Sequence, residues 1–186
     1  MKKPILVVLG GFAIILVMVV AYFVYSLYFA ERVSPPDRTE YSSEGVDLSI
    51  VYSRPFKKDR LIFGTESEGA LQPYGEYWRL GANEATKFTT SKPVNIMDNK
   101  LDAGSYSIYA IPGKDKWIVA FNTSFDHWGA FRPDEDDDVF RVEIVPNKIS
   151  PFVEQMEIKL EASDSHLAVI VVRWDEVELR IPVDVE

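Results

Sequence analysis

From Ile5 to Ala30 the chain runs for 26 residues without a charged side chain. As a helix at 1.5 Å per residue, this run reaches about 39 Å, enough to cross a ~30 Å hydrocarbon layer with tilt. The apolar core of a cleaved export signal is shorter, about 7–15 residues, and ends at small residues. Here the run ends instead in Tyr22, Phe23, Tyr25, Tyr28 and Phe29, side chains suited to a membrane interface. The expectation is a single N-terminal transmembrane helix at 5–30 behind a basic head at 1–4, retained as an anchor. The alternative is secretion after cleavage near Ala30. Lys2 and Lys3 on one side nearly balance Arg32 and Arg38 on the other. The extreme N-terminal position of the run therefore sets the expected orientation, with the following domain extracytoplasmic.

Beyond the run the pattern changes to a period of two. Val46, Leu48, Ile50 and Tyr52 share one face of an expected strand that Pro55 ends. Val94 and Ile96 lead through Asp98-Asn99 to Leu101 as a hairpin, and 106–111 and 117–122 form another across Pro112-Gly-Lys-Asp115. Phe140, Val142 and Ile144 alternate with Arg141 and Glu143. Further strands are expected at 152–160, at 167–172 and at 177–185. The middle one is apolar on both faces and so belongs in the centre of a sheet. No amphipathic helix is expected after residue 40. Nine or ten short strands broken by turns predict an all-β domain at 46–186, an antiparallel β-sandwich or jelly roll. Residues 31–45, polar and carrying Pro35-Pro36, read as a stiff spacer.

Several chemistries are excluded. The chain has no cysteine, so disulfides, thiolate metal sites and cysteine nucleophiles are absent. Its formal charge is −9. Lys2 and Lys3 are the only charges in the first thirty residues, so 31–186 carries −11, from 18 basic and 29 acidic side chains. That balance argues against nucleic acid as a partner. The two histidines, His127 and His166, lack any metal-ligand spacing, and there is no glycine-rich phosphate loop. No cofactor is expected. Asp134 to Asp138 lacks the glycine and spacing of a calcium loop and reads as a solvated acidic turn.

The densest stretch is Tyr74-Gly-Glu-Tyr-Trp-Arg-Leu-Gly-Ala-Asn-Glu-Ala-Thr86. Aromatic rings beside a guanidinium and an amide could hold a polar ligand, so Tyr74, Trp78, Arg79, Asn83 and Glu84 are candidate binding residues. Arg54, at a strand end, could join Arg79 as an anion clamp, and Trp128 could add a second ring. The competing expectation is a structural corner, with Arg79 buried against Glu84 or Glu76 and Asn83 satisfying loop backbone. For catalysis, the candidates are Glu84 with Glu76, or His127, as acid and base. Ser107 and Ser124 lack a nucleophile elbow.

Trp78-Arg-Leu-Gly-Ala-Asn-Glu-Ala-Thr86 resembles the W-R-x-G-A-N-E-A-T signature of a bacterial domain-of-unknown-function family, number 2911. Tyr52-Ser-Arg-Pro55, Arg60-Leu-Ile-Phe-Gly64, Leu101-Asp-Ala-Gly-Ser-Tyr-Ser-Ile-Tyr109 and Trp128-Gly-Ala-Phe131 extend the resemblance from about Ser34 to the C-terminus. It implies an exported, mostly β domain of unassigned activity and supplies no catalytic residues. The leading expectation is a membrane-tethered, non-enzymatic domain on the periplasmic or outer side, binding a small polar ligand, a glycan or an envelope partner. A cell-envelope hydrolase is the alternative, and a scaffold subunit is a third reading.

Overall fold

The computed structural model describes residues 2–28 and 33–185, with side chains in the N-terminal helix described for 11–25. The chain forms two compact units, Met1–Val33 and Ser34–Glu186.

The first unit is helix α1, Lys2–Tyr28. Its 27 residues reach about 40 Å at helical rise, and its described large apolar side chains, such as Phe12, Leu16 and Phe23, are exposed. Among the described residues no helix is long and apolar enough to cross a membrane. The side chains of the basic head, of Tyr28 and of Phe29 lie outside the described residues, as does the cleavage expected at Ala30.

The second unit is mostly β. Its first sheet holds six strands in the order β1-β2-β5-β8-β9-β10: β1 is Pro36–Ser43, β2 Val46–Ser53, β5 Thr86–Thr90, β8 Gly104–Ile111, β9 Trp117–Asn122 and β10 Asp138–Ile144. A second sheet orders β11 (Asn147–Glu161), β12 (Ala168–Val185), β6 (Val94–Ile96) and β7 (Asn99–Leu101). All pairs within these sheets are antiparallel, and neither sheet closes on itself. A small parallel pair, β3 (Phe63–Gly64) with β4 (Gln72–Pro73), lies between β2 and β5 in the chain.

Period-two alternation puts the apolar residues of both sheets into one core. Leu48, Ile50, Phe88, Ile108 and Phe121 come from the first sheet, and Met156, Ile158, Ile170 and Trp174 from the second. Three indoles and Phe63 form its aromatic centre: Trp78 stacks on Trp174 at 5.8 Å, and Phe63 sets its edge against Trp117 at 4.7 Å. Residues 168–172 are buried on both faces, as their apolar run predicts; they lie beside β11, while β6 pairs with the same strand only at 183–185.

Tyr52 joins the sheets. Its hydroxyl accepts the Ile158 N–H at 2.8 Å and lies 3.2 Å from both the Ile158 carbonyl and Asp37. Pro55 and Lys57 continue the contact by backbone bonds to Met156 and Glu154.

Two elements differ from the sequence expectation. Residues 36–43, read as spacer, form β1 in continuous register with β2, from Pro36↔Ser53 to Ser43↔Val46. The strand alternates exposed and half-buried polar residues, so hydropathy carried no period. The last two expected strands are one, because β12 continues through Asp175, which takes a left-handed φ of 54° where the β11–β12 register shifts.

Candidate functional site

Residues 78–86 form a tight corner where the chain enters β5. Trp78 is buried at 2 % exposure, exchanges both backbone hydrogen bonds with Ala110 of β8 at 2.8 Å, and donates its indole N–H to the Gly81 carbonyl at 3.2 Å. Leu80 and Asn83 both take left-handed backbone, with φ of 52° and 59°. Asparagine tolerates this region, whereas a leucine there is strained and must be held in place. Thr86 holds it: its buried hydroxyl donates to the Leu80 carbonyl at 2.9 Å. A Cβ on Gly81 would lie 3.0 Å from that hydroxyl and 3.1 Å from the Ser53 carbonyl, so the position needs glycine for close packing.

Arg79 and Asn83 bind backbone. Arg79 donates from Nη1 to the Asn83 carbonyl at 3.2 Å, and the Asn83 amide donates to the Ser34 carbonyl at 3.2 Å. Arg54 points elsewhere, donating from Nε to the Met156 carbonyl at 2.9 Å and sitting 3.3 Å from Asp37 at the seam between the sheets. Tyr74 lines a separate depression of about 330 Å³ with Leu61, Lys114, Lys148 and Asp175.

Glu84 and Trp128 do come together. They form an isolated antiparallel bridge and line one shallow depression of about 340 Å³ with Lys87, Phe125, Asp126 and His127. The corner and the 123–137 loop are stitched at this point. Ala85 N–H donates to the His127 carbonyl, Gly129 N–H to the Asn83 carbonyl, and the Tyr77 hydroxyl to the Gly129 carbonyl, at 3.0–3.2 Å. A Cβ on Gly129 would meet Arg79 Cδ at 2.7 Å and backbone atoms of Asn83 and Ala85 at 3.0 Å. The loop tip carries the exposed rings: Phe125 at 37 %, Trp128 at 50 % and Phe131 at 72 % exposure. Lys87 Nζ stands 5.7 Å over the Phe125 ring, within cation–π range.

The base of the loop is fixed by a buried polar knot. Asn122 donates to the Asp134 carbonyl and to Asp138, each at 2.8 Å. The other oxygen of Asp138 accepts from Tyr109 and from Arg141, both at 2.7 Å. Burial first, then the hydrogen bond to the Asp138 carboxylate, pushes the Tyr109 phenol up to about 12. Arg141 is raised chiefly by its hydrogen bonds to Glu135 and Asp138. Of the acidic run only Asp138 is drawn inward; Asp134 to Asp137 are exposed, as expected of a solvated turn, with Asp134 capping the short 135–137 turn. Among the described residues no cluster of metal-ligating side chains occurs.

Of the two proposed acids, Glu84 lines the depression and Glu76 is exposed in the turn after Pro73. His127 also lines it. Its Nδ1 is 3.5 Å from the Ser124 hydroxyl, and its Nε2 is enclosed without a hydrogen-bond partner among the described residues. Lys87, Phe125 and Asp126 were not singled out from sequence. The available signal was three aromatic residues, 125, 128 and 131, in a polar stretch with no strand period.

The family model described as "Protein of unknown function (DUF2911)" matches residues 34–183, most of the chain, and the protein belongs to that family. No curated protein and no solved structure matches it.

Proposed function

We propose that this member of the DUF2911 family is a non-enzymatic binding module whose ligand sits in the depression between Glu84 and Trp128. One observation carries the reading: a half-exposed indole stands in a concavity that also presents Glu84, Lys87 and Asp126. An aromatic plate beside groups that donate and accept hydrogen bonds suits a small polar ligand, with stacking for affinity and polar contacts for orientation. Trp78, Arg79 and Asn83 serve this site from below by shaping the corner to which the loop is bonded. Two antiparallel sheets across one core fit a sandwich or jelly-roll-like scaffold, which presents such loops at its ends. We assign α1 as a membrane tether with the domain on the extracytoplasmic side, supported by the uncharged run of 26 residues and the exposed apolar side chains of the helix.

Trp128 supplies the test. The chain has four tryptophans, and Trp78, Trp117 and Trp174 are buried, so acrylamide reaches chiefly the fourth. Full-length protein in detergent is screened against envelope glycans, amino acids and nucleotides. A ligand of the site shields the quenchable emission and fails to bind Trp128→Ala. Hits that bind that variant unchanged overturn the assignment.

A second reading has one observation in its favour. Glu84 and His127 line the same depression, which would suit an envelope hydrolase using either as acid or base. Glu84→Gln and His127→Asn would then abolish turnover of an envelope substrate while leaving its binding intact.

A further inference from the structure

A second polar depression, about 350 Å³, lies on the outer face of the six-stranded sheet, lined by Arg38, Glu40, Ser42, Asp47, Ser49 and Thr89 among others. The two depressions share no lining residue but lie along the same pair of strands. Ser49 pairs with Thr89 in its floor, and Val51 pairs with Lys87 in the floor of the Trp128 depression. Residues two apart on a strand share a face and stand about 7 Å from each other. From Asp47 to Val51 the floor therefore runs about 13 Å along β2, and Trp128 adds a wall at its far end. Ser105 extends it sideways, its hydroxyl 2.9 Å from that of Thr89.

We propose that this face is one continuous groove for a linear, uncharged oligosaccharide, with Trp128 stacking on a sugar ring at one end and strand hydroxyls and carboxylates meeting the remaining rings. The proposal rests on the Trp128 site and extends it to a substrate class. Three properties of the groove select the occupant. β2 and β5 are interior strands with their backbone groups spent on neighbours, so the floor offers side chains alone. An extended peptide is read mainly through the free backbone of a sheet edge; the floor has none, and the edge strand β1 lends the lining the side chains of Arg38, Glu40 and Ser42. The floor is built of Ser49, Thr89 and Ser105, with Val51 its apolar member, so an amphipathic helix finds no apolar strip. Charges of both signs line the sides, among them the Arg38–Glu40 pair at 2.5 Å, within a domain of net −11 that repels polyanions. A chain of neutral rings, each with hydroxyls that both donate and accept, satisfies all three.

The experiment is a chain-length series. Full-length protein, held in a detergent without a sugar headgroup, is titrated with α-1,4-glucose, β-1,4-glucose and β-1,4-N-acetylglucosamine oligomers from disaccharide to hexasaccharide. Tryptophan fluorescence and calorimetry follow binding. At least one series should gain about tenfold or more in affinity with length and shield Trp128 from acrylamide. Ser49→Tyr, which fills the middle of the floor on a position suited to an aromatic strand residue, should bring hexasaccharide affinity down to the disaccharide level. Affinity that is flat with length while Trp128 is still shielded overturns the groove and leaves the single site standing. The groove also falls if no sugar shields Trp128 but a small non-sugar ligand does. If no ligand of any class shields it, both readings fall together.

Discussion

The corner at 78–86 and the loop at 123–131 touch through two backbone hydrogen bonds, with a third from Tyr77 just ahead of the corner, yet they use their aromatic and polar residues in opposite ways. In the corner, the indole of Trp78 is buried and bonded to Gly81, and Arg79 and Asn83 both end on backbone carbonyls. In the loop, Phe125, Trp128 and Phe131 turn their rings to solvent. The comparison teaches that a dense, specific-looking motif can be the frame of a site whose working surface lies in a plainer segment. A strained corner with two left-handed residues in four positions demands particular side chains, whereas an exposed loop tolerates many.

The contrast breaks most violently at Trp78. Trp78→Ala removes a buried indole from contact with Phe63, Trp117 and Trp174 and leaves the Gly81 carbonyl unbonded. The expected loss is about 3–5 kcal/mol, a large fraction of the ~5–15 kcal/mol that holds a domain of this size. Urea denaturation of the full-length chain checks it. A loss below about 1 kcal/mol would show that the corner is no frame.

A smaller lesion tests the joint between the two regions. Gly129→Ala sets a methyl 2.7 Å from Arg79 Cδ and 3.0 Å from two backbone atoms of the corner. Overpacking of this kind costs about 1–3 kcal/mol. Because the corner is fixed in the core, the loop should yield, and acrylamide quenching of Trp128 should rise. Unchanged quenching alongside lost stability would place the strain in the corner instead.

How much of this was legible in the sequence follows from what burial does to pattern. The period of Val46, Leu48, Ile50 and Tyr52 is visible because one face of that strand is the more deeply buried, whereas β8 and β9, buried on both faces over most of their length, show as two apolar runs around a polar turn. β1 hides because, of its inward residues Asp37, Thr39, Tyr41 and Ser43, only Tyr41 is apolar enough to pack on the core, and one such residue makes no period. Glu84 and Trp128 were readable as candidates, but their meeting depends on the Ala85–His127 and Gly129–Asn83 backbone bonds, which no side-chain pattern encodes. Trp78 looks in sequence like Trp128. Only the topology, which seats Trp78 beside Ala110 and leaves Trp128 on a loop, tells a core indole from an exposed one.

The loop's base should also be separable from its tip by pH. Burial pushes the phenols of Tyr52 and Tyr109 up to about 12, against about 10 in an unfolded chain. The folded state thus keeps protons that the unfolded state releases. Stability is fully present below pH ~10 and declines as pH rises from there through ~12. Urea midpoints measured across this range should fall for the wild type and fall less steeply for Tyr109→Phe. That variant also loses about 1 kcal/mol at neutral pH, because Asp138 gives up one donor. An alkaline limb of unchanged slope in Tyr109→Phe and Tyr52→Phe alike would remove these two phenols as its source.

The smallest effect on stability should come from the most conspicuous side chain. Trp128→Ala removes a ring that is half in solvent and that no buried neighbour needs, so the change should stay within about 0.5 kcal/mol. The backbone bonds that hold its position, through Glu84, Gly129 and the Phe131 N–H, do not depend on the indole. In the same variant, acrylamide-quenchable emission should nearly vanish, because the three remaining indoles are buried. Those two results together would mean that the chain keeps a large aromatic surface exposed at no benefit to its own fold, which is what a ligand-facing residue requires. A loss comparable to that of Trp78→Ala would instead make Trp128 part of the frame, and the distinction between corner and loop would collapse.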